Sequence, residues 1–577
     1  MRALSLAFAL SFTAAAHAAQ AAEAKSDNQL SADAQACLGC HAEAQGADKP
    51  AVDAKAFLGS VHAGIADCTD CHQGYKPDGM HGEGLPALSA ADADRVAKLA
   101  AARRPGEAKP NGEHAAGEPA TSSPRAYVAC ANCHSEVTDL YWGSVHAKSI
   151  TEPGKSKVAG ATCVSCHGAI HAVKPLVAKD KSGHRPQGDA TMRAMAARCE
   201  KCHGNEEFAK AAGLNPEVGV TYRDSIHGRQ IAIGSARAPN CSDCHGGHGI
   251  LAKTDPRSTV AGHNRAVTCS KCHPGATDNF AAVIAHREPQ EDPRTPIPHF
   301  VHIMFSWLTT LTLLFFGFHV LIDFLWEIRR RLSRKDHHHV EPALAERTVK
   351  RFDLHQRIQH WLLLSGCILL GLTGWPLRGA GYLEKPEALE SSRRFLALFG
   401  GAHAAGLWHR FAAVLLIISG IYHVVYLAFL AQKRALPFSM LPMPKDALDI
   451  RDNILHMLGL KKERPKFERF NYMEKFDYWA VFWGCAMMIG TGFIYWFPVA
   501  FSHALPHWAL EVAQIIHGEE ATLAILFLFV VHFYNVHLRP SIFPMNWTWL
   551  TGETTLEFMK DEHPLEYEKA SEKDELP

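Results

Sequence analysis

Residues 130–167 read CANCHSEVTDLYWGSVHAKSITEPGKSKVAGATCVSCH, and this stretch is the unit from which the N-terminal half of the chain is built. It contains two Cys-x-x-Cys-His motifs with an aromatic-x-x-Ser-Val-His segment between them. The same order occurs twice more, with middle segments at 57–62 and 222–227. A unit this short cannot bury a conventional core by itself, so its recurrence predicts a repeat architecture.

Fourteen of the sixteen cysteines fall in seven Cys-x-x-Cys-His motifs. Chance predicts about 0.03 copies of this motif, which is typical of covalent haem c attachment. Two thiols bind the haem vinyl groups while the adjacent histidine binds the iron. A zinc site explains the cysteine pairs but not the histidine that follows each one. We predict seven haem c groups, attached through Cys37, Cys40, Cys68, Cys71, Cys130, Cys133, Cys163, Cys166, Cys199, Cys202, Cys241, Cys244, Cys269 and Cys272, with proximal ligands His41, His72, His134, His167, His203, His245 and His273.

Histidines that recur within the repeats are the natural distal ligands, because imidazole is a preferred ligand of iron. The alternative is that an exported histidine is only a surface polar residue. One group ends the middle segments or follows the seventh motif: His62, His146, His227 and His286. A second group follows the second, fourth and sixth motifs: His81, His171 and His248. Order along the chain leaves open which histidine serves which haem.

The N-terminus has the pattern of a secretory signal peptide at 1–18, with a basic start, a short apolar run and a small-residue cleavage site. A retained N-terminal anchor is the alternative. We expect residues 30–290 to form a periplasmic domain of short helices and loops packed on haem, with a flexible insertion at 82–123. The 59 basic and 59 acidic residues balance, so nucleic acid is not an expected partner.

After residue 298 the composition becomes apolar, and five segments are long enough to cross a bilayer: 300–326, 361–375, 407–430, 479–497 and 517–534, each with its flanks. Lys and Arg cluster after the first and third segments, whereas 497–517 has neither. This asymmetry predicts a multi-pass protein of the bacterial inner membrane, with its N-terminal half in the periplasm and its C-terminus in the cytoplasm.

The predicted fold is therefore mostly α: an irregular, haem-packed multihaem c domain followed by a five-span transmembrane helix bundle. The bundle divides into an additional helix at 299–326 and a four-helix domain at 350–540. A cytoplasmic tail at 541–577 follows, and its acidic part from residue 553 is expected to be solvated.

Histidines inside the spans are functional by default, because a polar imidazole in hydrocarbon is costly. His409 and His423 are 14 residues apart on the third span, and His517 and His532 are 15 apart on the fifth. Such spacings are close to four helical turns, so each pair shares a helix face. Two such helices can hold two haem b groups, one near each membrane surface.

Several motifs in this half resemble the di-haem cytochrome b subunits of formate dehydrogenase and nickel–iron hydrogenase: Arg357-Ile-Gln-His360-Trp361, Leu372-Thr-Gly374, Trp408-His409-Arg410, His517 and His532-Phe-Tyr534. The resemblance covers roughly 350–540. It implies four helices, two haem b groups and exchange with menaquinone or ubiquinone. It also implies the ligands His360, His409, His517 and His532, so His360 and His423 compete for one position. The additional first span departs from the family, and its His319 could join His423 at a third haem b.

The sequence Asn471-Tyr-Met-Glu474-Lys475 is similar to a stretch near the family's menaquinone pocket, which makes Asn471, Glu474 and Lys475 candidate quinone-site residues. A carboxylate there could accept a quinol proton. The alternative is an interfacial anchor.

The expected function is electron transfer between the quinone pool and periplasmic cytochromes or reductases, as a quinol dehydrogenase. The alternatives are a quinone reductase working in the reverse direction, a terminal reductase of a small periplasmic substrate at a c haem, and a redox sensor. The sequence does not indicate an oligomeric state.

Overall fold

The structure is a computed structural model, and it describes residues 31–42, 52–60, 62–63, 66, 68–71, 130, 133–147, 158, 160–168, 172–173, 189–283, 286, 296–333, 344, 346–379, 386–434 and 438–572. The predicted signal peptide, the 82–123 insertion, His72, His81 and His171 lie outside the described residues, as do the side chains of Cys40 and Cys71. The chain divides into two compact units. The first extends to Tyr222 and includes Ala236–Lys271; the second comprises Arg223–Ser235 and Cys272–Pro577.

Short helices form the described part of the chain up to residue 271. They are α1 (Ala32–His41), α2 (Ala54–Leu58), α3 (Cys68–Cys71), α4 (Ser135–Trp142), α5 (Cys163–His167), α6 (Asp189–His203), α7 (Glu206–Ala212), α8 (Val218–Asp224), α9 (Ile226–Ala232), α10 (Cys241–His245) and α11 (Asn264–Ser270). Helices α1, α5, α6 and α10 each end at the histidine of a Cys-x-x-Cys-His motif. One helical turn brings the first cysteine, the second cysteine and the histidine to the same side.

The aromatic residue of the repeated middle segment fixes the loop before the next motif. The hydroxyl of Tyr141 donates to the carbonyl of Ala161 (2.8 Å), and that of Tyr222 donates to the carbonyl of Pro239 (2.5 Å). Both acceptors lie two residues before the first cysteine of a motif. The repeat seen in the sequence is therefore also a structural repeat.

The serine of the middle segment starts the short turn that carries the candidate distal histidine. Ser225 Oγ accepts a hydrogen bond from the Gly228 amide (3.2 Å) at the start of α9, which contains His227. Ser60 Oγ accepts one from the His62 amide (3.2 Å) in the first repeat. A side-chain cap of this kind satisfies an amide that the turn itself leaves unpaired.

Five long apolar helices dominate the second unit, and all are long enough to span a membrane: α13 (Pro296–Ser333), α14 (Leu354–Gly379), α16 (Gly401–Gln432), α18 (Tyr472–Trp496) and α20 (His507–Phe527), which continues as π-helical turns Leu528–His532 and Tyr534–Leu538. Helix α14 packs against α16, α18 packs against α20, and α13 packs against α20 through Phe316, Phe527 and Val531. The predicted fold class and the multi-pass membrane topology are confirmed.

The remaining elements lie at the two ends of this bundle. The upper end carries α9, α12 (Asp278–Ala281), α15 (Pro386–Ala397) and α19 (Pro498–Ser502); the lower end carries a 3₁₀ turn (Phe438–Met440), α17 (Pro444–Met457), α21 (Thr548–Thr551), α22 (Leu556–Glu562), α23 (Pro564–Glu572) and an antiparallel pair of strands, β1 (Thr348–Lys350) and β2 (Glu553–Thr555). Thr348 pairs with Thr555 and Lys350 with Glu553.

The acidic C-terminal segment is folded, which corrects the expectation of a solvated end. Glu562, in α22, pairs with Arg464 (2.9 Å) and Arg539 (3.1 Å). Glu566, in α23, pairs with Arg351 (2.9 Å), and a second oxygen pairs with Arg469 (2.8 Å). The acidic tail neutralises basic residues that cluster at the lower end of the bundle, and this attraction holds it there.

At the upper end, segments between the c-type motifs are part of the second unit. Asn279, in α12, donates to the carbonyls of Ser502 (2.7 Å) and Leu505 (2.5 Å). The guanidinium of Arg393, in α15, donates twice to the carbonyl of Ala232 (2.7 and 2.8 Å). The seventh motif and the turn that carries His227 are thus anchored to the helix bundle.

Candidate haem sites

Four pairs of the predicted haem c ligands lie face to face in the described structure. The separations of their ring centroids are 6.3 Å for His62–His134, 6.3 Å for His146–His203, 6.0 Å for His167–His248 and 6.4 Å for His227–His273. Two metal–nitrogen bonds of about 2 Å, each followed by about 1.2 Å to the ring centre, put the centroids of two ligands about 6.3 Å apart. The spacing in every pair fits one iron between two imidazoles.

Each pair joins histidines of neighbouring repeats. The histidine of a middle segment lies opposite the first motif of the next repeat, as His62 does with His134. In the opposite direction, His248 of the third repeat lies opposite His167 of the second. The Val145 amide donates to the carbonyl of Ile250 (2.8 Å), so the segments beside His146 and His248 are also joined. The sequence had left this pairing open.

The paired imidazoles are neutral at physiological pH. Burial, with a further effect from His273, lowers the pKa of His227 to about 4. Burial also lowers the pKa of the other paired rings except His134, namely His62, His146, His167, His203, His248 and His273. Neutral imidazole is the form that ligates a metal. His286, also a candidate, is half-buried in a turn after α12.

In the upper half of the bundle, His409 and His517 each donate one ring N–H to a threonine. His409 Nδ1 lies 2.9 Å from Thr373 Oγ1, and His517 Nδ1 lies 3.0 Å from Thr491 Oγ1. Each threonine donates its own proton to a backbone carbonyl one turn back, at 2.7 Å. The hydroxyl must therefore accept from the imidazole, which leaves Nε2 of both histidines with a free lone pair.

A glycine follows each threonine and makes room for the imidazole. A Cβ at Gly374 would lie 3.1 Å from His409 Cε1, and one at Gly492 would lie 3.4 Å from His517 Cε1. His409 and His517 are also close enough to interact electrostatically. This pair, here named the upper b site, has the donor set of a bis-histidine haem.

In the lower half of the bundle, His360 and His532 form the corresponding pair, here named the lower b site. Their rings interact electrostatically. His532 Nδ1 lies 3.0 Å from Asp477 Oδ2, so its proton is held by a carboxylate and Nε2 is available. The π-helical turns between His517 and His532 accommodate the fifteenth residue of their spacing.

His423, the competing candidate, has hydrogen bonds at both ring nitrogens. Nδ1 lies 2.8 Å from Gln359 Oε1, and Nε2 lies 2.9 Å from the Tyr478 hydroxyl. His319 Nε2 is similarly bonded to the hydroxyl of Tyr472 (2.6 Å). This geometry favours His360 as the fourth ligand and does not support a third haem b between His319 and His423.

The three candidate quinone-site residues before α18 all have protein partners. Asn471 and Glu474 form a reciprocal cap at the start of α18, with distances of 2.9 and 2.8 Å. Lys475 is buried against both oxygens of Asp446, at 2.8 and 3.0 Å. These contacts give the stretch a clear role in starting the helix.

One connection at the upper end has no sequence motif. The ring of Tyr495 lies 5.7 Å from that of His517, and Tyr495 interacts electrostatically with Arg229. Arg229 is two residues after His227, whose ring faces His273. The upper b site and the seventh haem c site are therefore linked through two side chains within one compact unit.

Residues 351–542 match the prokaryotic cytochrome b561 family. The C-terminal half contains a prokaryotic cytochrome b561 domain. This match confirms the predicted resemblance and places haem b in the membrane half. The N-terminal part is distantly similar to the multihaem cytochrome MtrA of Shewanella baltica, at 25% identity over 173 residues, covering 23% of this chain and 49% of that protein. The chain thus spans about half the length of the curated relative it matches.

Proposed function

We propose that this protein transfers electrons between the quinone pool of the bacterial inner membrane and redox partners in the periplasm, as a quinol dehydrogenase. The cytochrome b561 domain supports membrane electron transfer, and the similarity to MtrA supports c-type haems in the N-terminal part. The observation that carries the proposal is the connection of the upper b site to the His227–His273 pair through Tyr495 and Arg229.

The proposed cofactors are seven haem c and two haem b groups. Bound haem supplies the one-electron chemistry, and the chain sets its position and axial ligands. The b ligands in this proposal are His360 with His532, and His409 with His517. The distal c ligands are His62, His146, His227 and His248 in the pairs described, with His81, His171 and His286 as further candidates.

In the proposed orientation the lower end of the bundle faces the cytoplasm. Arg351, Arg464, Arg469 and Arg539 all lie at this end, as the positive-inside rule requires of a cytoplasmic face. The seventh haem c site then lies on the periplasmic face, where quinone-derived electrons would leave the bundle.

A paired substitution at the upper end tests the proposal. His517→Ala removes a proposed haem b ligand, and His503→Ala removes an exposed histidine from the same end as a control. In purified protein reconstituted in lipid, we expect His517→Ala to lose the upper haem b absorbance. A naphthoquinol should then no longer reduce its c haems, although dithionite still does. Unchanged quinol-driven reduction of the c haems in a variant that has lost this haem b would refute the proposal.

A further inference from the structure

A groove runs between the additional first span and the end of the last span, in the lower half of the bundle. It encloses about 260 Å³ and is lined by Gly317, Val320, Leu321, Phe324, Tyr534 and Leu538. We name it the α13–α20 groove. Residues 317–324 precede the segment that matches the cytochrome b561 family, so half of this wall is specific to the extra span.

A buried polar pair lies beside the apolar wall. The Tyr534 hydroxyl donates to Asp323 Oδ2 (2.7 Å), and both side chains are only 5% exposed. Arg539 also donates to Asp323, at 3.0 and 3.2 Å, and keeps the carboxylate paired. Because the tyrosine proton goes to Asp323, the tyrosine oxygen keeps lone pairs that can accept a hydrogen bond from a ligand hydroxyl.

The polar pair is connected to the lower surface through charged side chains. Arg539 lies 3.1 Å from Glu562 and 3.4 Å from Glu327, both of which are buried. Glu327 lies 3.9 Å from Arg330, which pairs with the half-exposed Asp561 at 3.2 Å. A run of ionised groups thus leads from the groove to water, whereas a site that held only lipid would need no such run.

We propose that the α13–α20 groove binds the ring of a membrane quinone, with the Tyr534 hydroxyl as its hydrogen-bond partner and Asp323 behind it. The apolar wall suits a fused aromatic ring and its isoprenoid chain. Tyr534 is two residues after His532, so the site lies beside the lower b site. An acyl chain would use only the apolar wall and would leave the polar pair without a purpose. This inference rests on the proposed function and names its substrate site.

A glycine substitution can close the groove without a clash. A Cβ at Gly317 meets no atom within 4 Å, so Gly317→Leu would extend into open space. Gly490, on α18, has equally open surroundings but faces outward, and Gly490→Leu is the matched control. Tyr534→Phe removes only the hydroxyl.

The test measures binding of a fluorescent hydroxyquinoline N-oxide, a quinone analogue, to the haem-loaded full chain in lipid nanodiscs. We expect Gly317→Leu to raise the Kd at least tenfold and Tyr534→Phe to raise it about fivefold, the effect of one lost hydrogen bond. Gly490→Leu should bind as the wild type does. Haem b content, measured as the pyridine haemochrome, should be the same in all four proteins.

The outcomes separate this inference from the proposed function. If the wild type binds the analogue and Gly317→Leu and Tyr534→Phe bind it equally well, the groove is not the quinone site, and an acyl chain is its occupant. If the wild type neither binds the analogue nor accepts electrons from a quinol, the proposed function itself fails.

Discussion

At the residue scale, the proposed b-haem ligands differ in the partner of their second ring nitrogen. His409 and His517 donate to threonine hydroxyls, whereas His532 donates to the carboxylate of Asp477. A carboxylate partner makes the imidazole a stronger donor and stabilises the oxidised iron. The lower b site should therefore have the lower reduction potential, which favours electron flow from the lower to the upper site.

Replacing this carboxylate should raise the reduction potential of one haem only. For Asp477→Asn we expect the potential of the lower haem b to rise by roughly 60 mV, a tenfold change for one electron. Thr491→Val is the control and should affect the upper haem instead. A spectroscopic redox titration of the two b haems measures both potentials. Unshifted potentials in Asp477→Asn would contradict the assignment of His532.

The contact between Gly374 and His409 gives a second test. An added methyl would lie 3.1 Å from the imidazole and must displace it, at a cost of about 1–3 kcal/mol. We expect Gly374→Ala to lower the haem b content. Gly366→Ala on the same helix meets its nearest atom at 3.6 Å and should keep full content. Pyridine haemochrome analysis measures the ratio, and equal ratios would count against the upper b site.

At the element scale, helices α14 and α18 repeat one pattern. His360 is 13 residues before Thr373, and Tyr478 is 13 residues before Thr491. Tyrosine in one hairpin thus occupies the position that histidine has in the other, and its hydroxyl bonds to His423. We expect His360→Leu to lose one haem b and His423→Leu to keep two. The opposite result, read from haem content, would make His423 the ligand.

The sequence predicted the features that depend on neighbouring residues and could not predict those that depend on distant ones. Motif spacing located the attachment sites, and hydropathy located the five spans. The pairing of His248 with His167 joins residues of different repeats, and no local pattern encodes it. Likewise, Glu562 meets Arg464 only after the chain has crossed the bundle, so its charge alone suggested a solvated tail.

The docked tail gives a prediction about stability. Burial alone would raise the pKa of Glu562, but Arg539 and Arg464 hold it well below its usual range. A depressed folded-state pKa contributes stability above the unfolded value of about 4.3, and this stability is lost as the pH falls below it. We expect Glu562→Gln to cost about 3 kcal/mol at pH 7, since it leaves buried arginine charge uncompensated.

Thermal unfolding of the wild type and the variant at pH 7 and pH 4 measures this effect, and the difference between them should shrink at the lower pH. The control is Glu568→Gln, which removes an exposed partner of Lys466 and should cost less than about 0.5 kcal/mol. Equal losses in the two variants at pH 7 would show that the tail is not held by its buried pair.

At the scale of the whole molecule, the second unit combines three proposed redox sites in one compact body. The lower b site, the upper b site and the His227–His273 pair follow one another from the lower end to the upper end. The seventh c-type site is fixed to the bundle by Asn279 and Arg393. Within this unit, the order of the sites corresponds to a route through the membrane.

The order in which the haems are reduced tests this route most directly. The measurement is stopped-flow absorbance of the reconstituted protein mixed with a naphthoquinol, with the b and c bands followed separately. We predict that the b bands are reduced first and the c bands follow after a lag. Reduction of the c bands before, or without, reduction of the b bands would contradict the account.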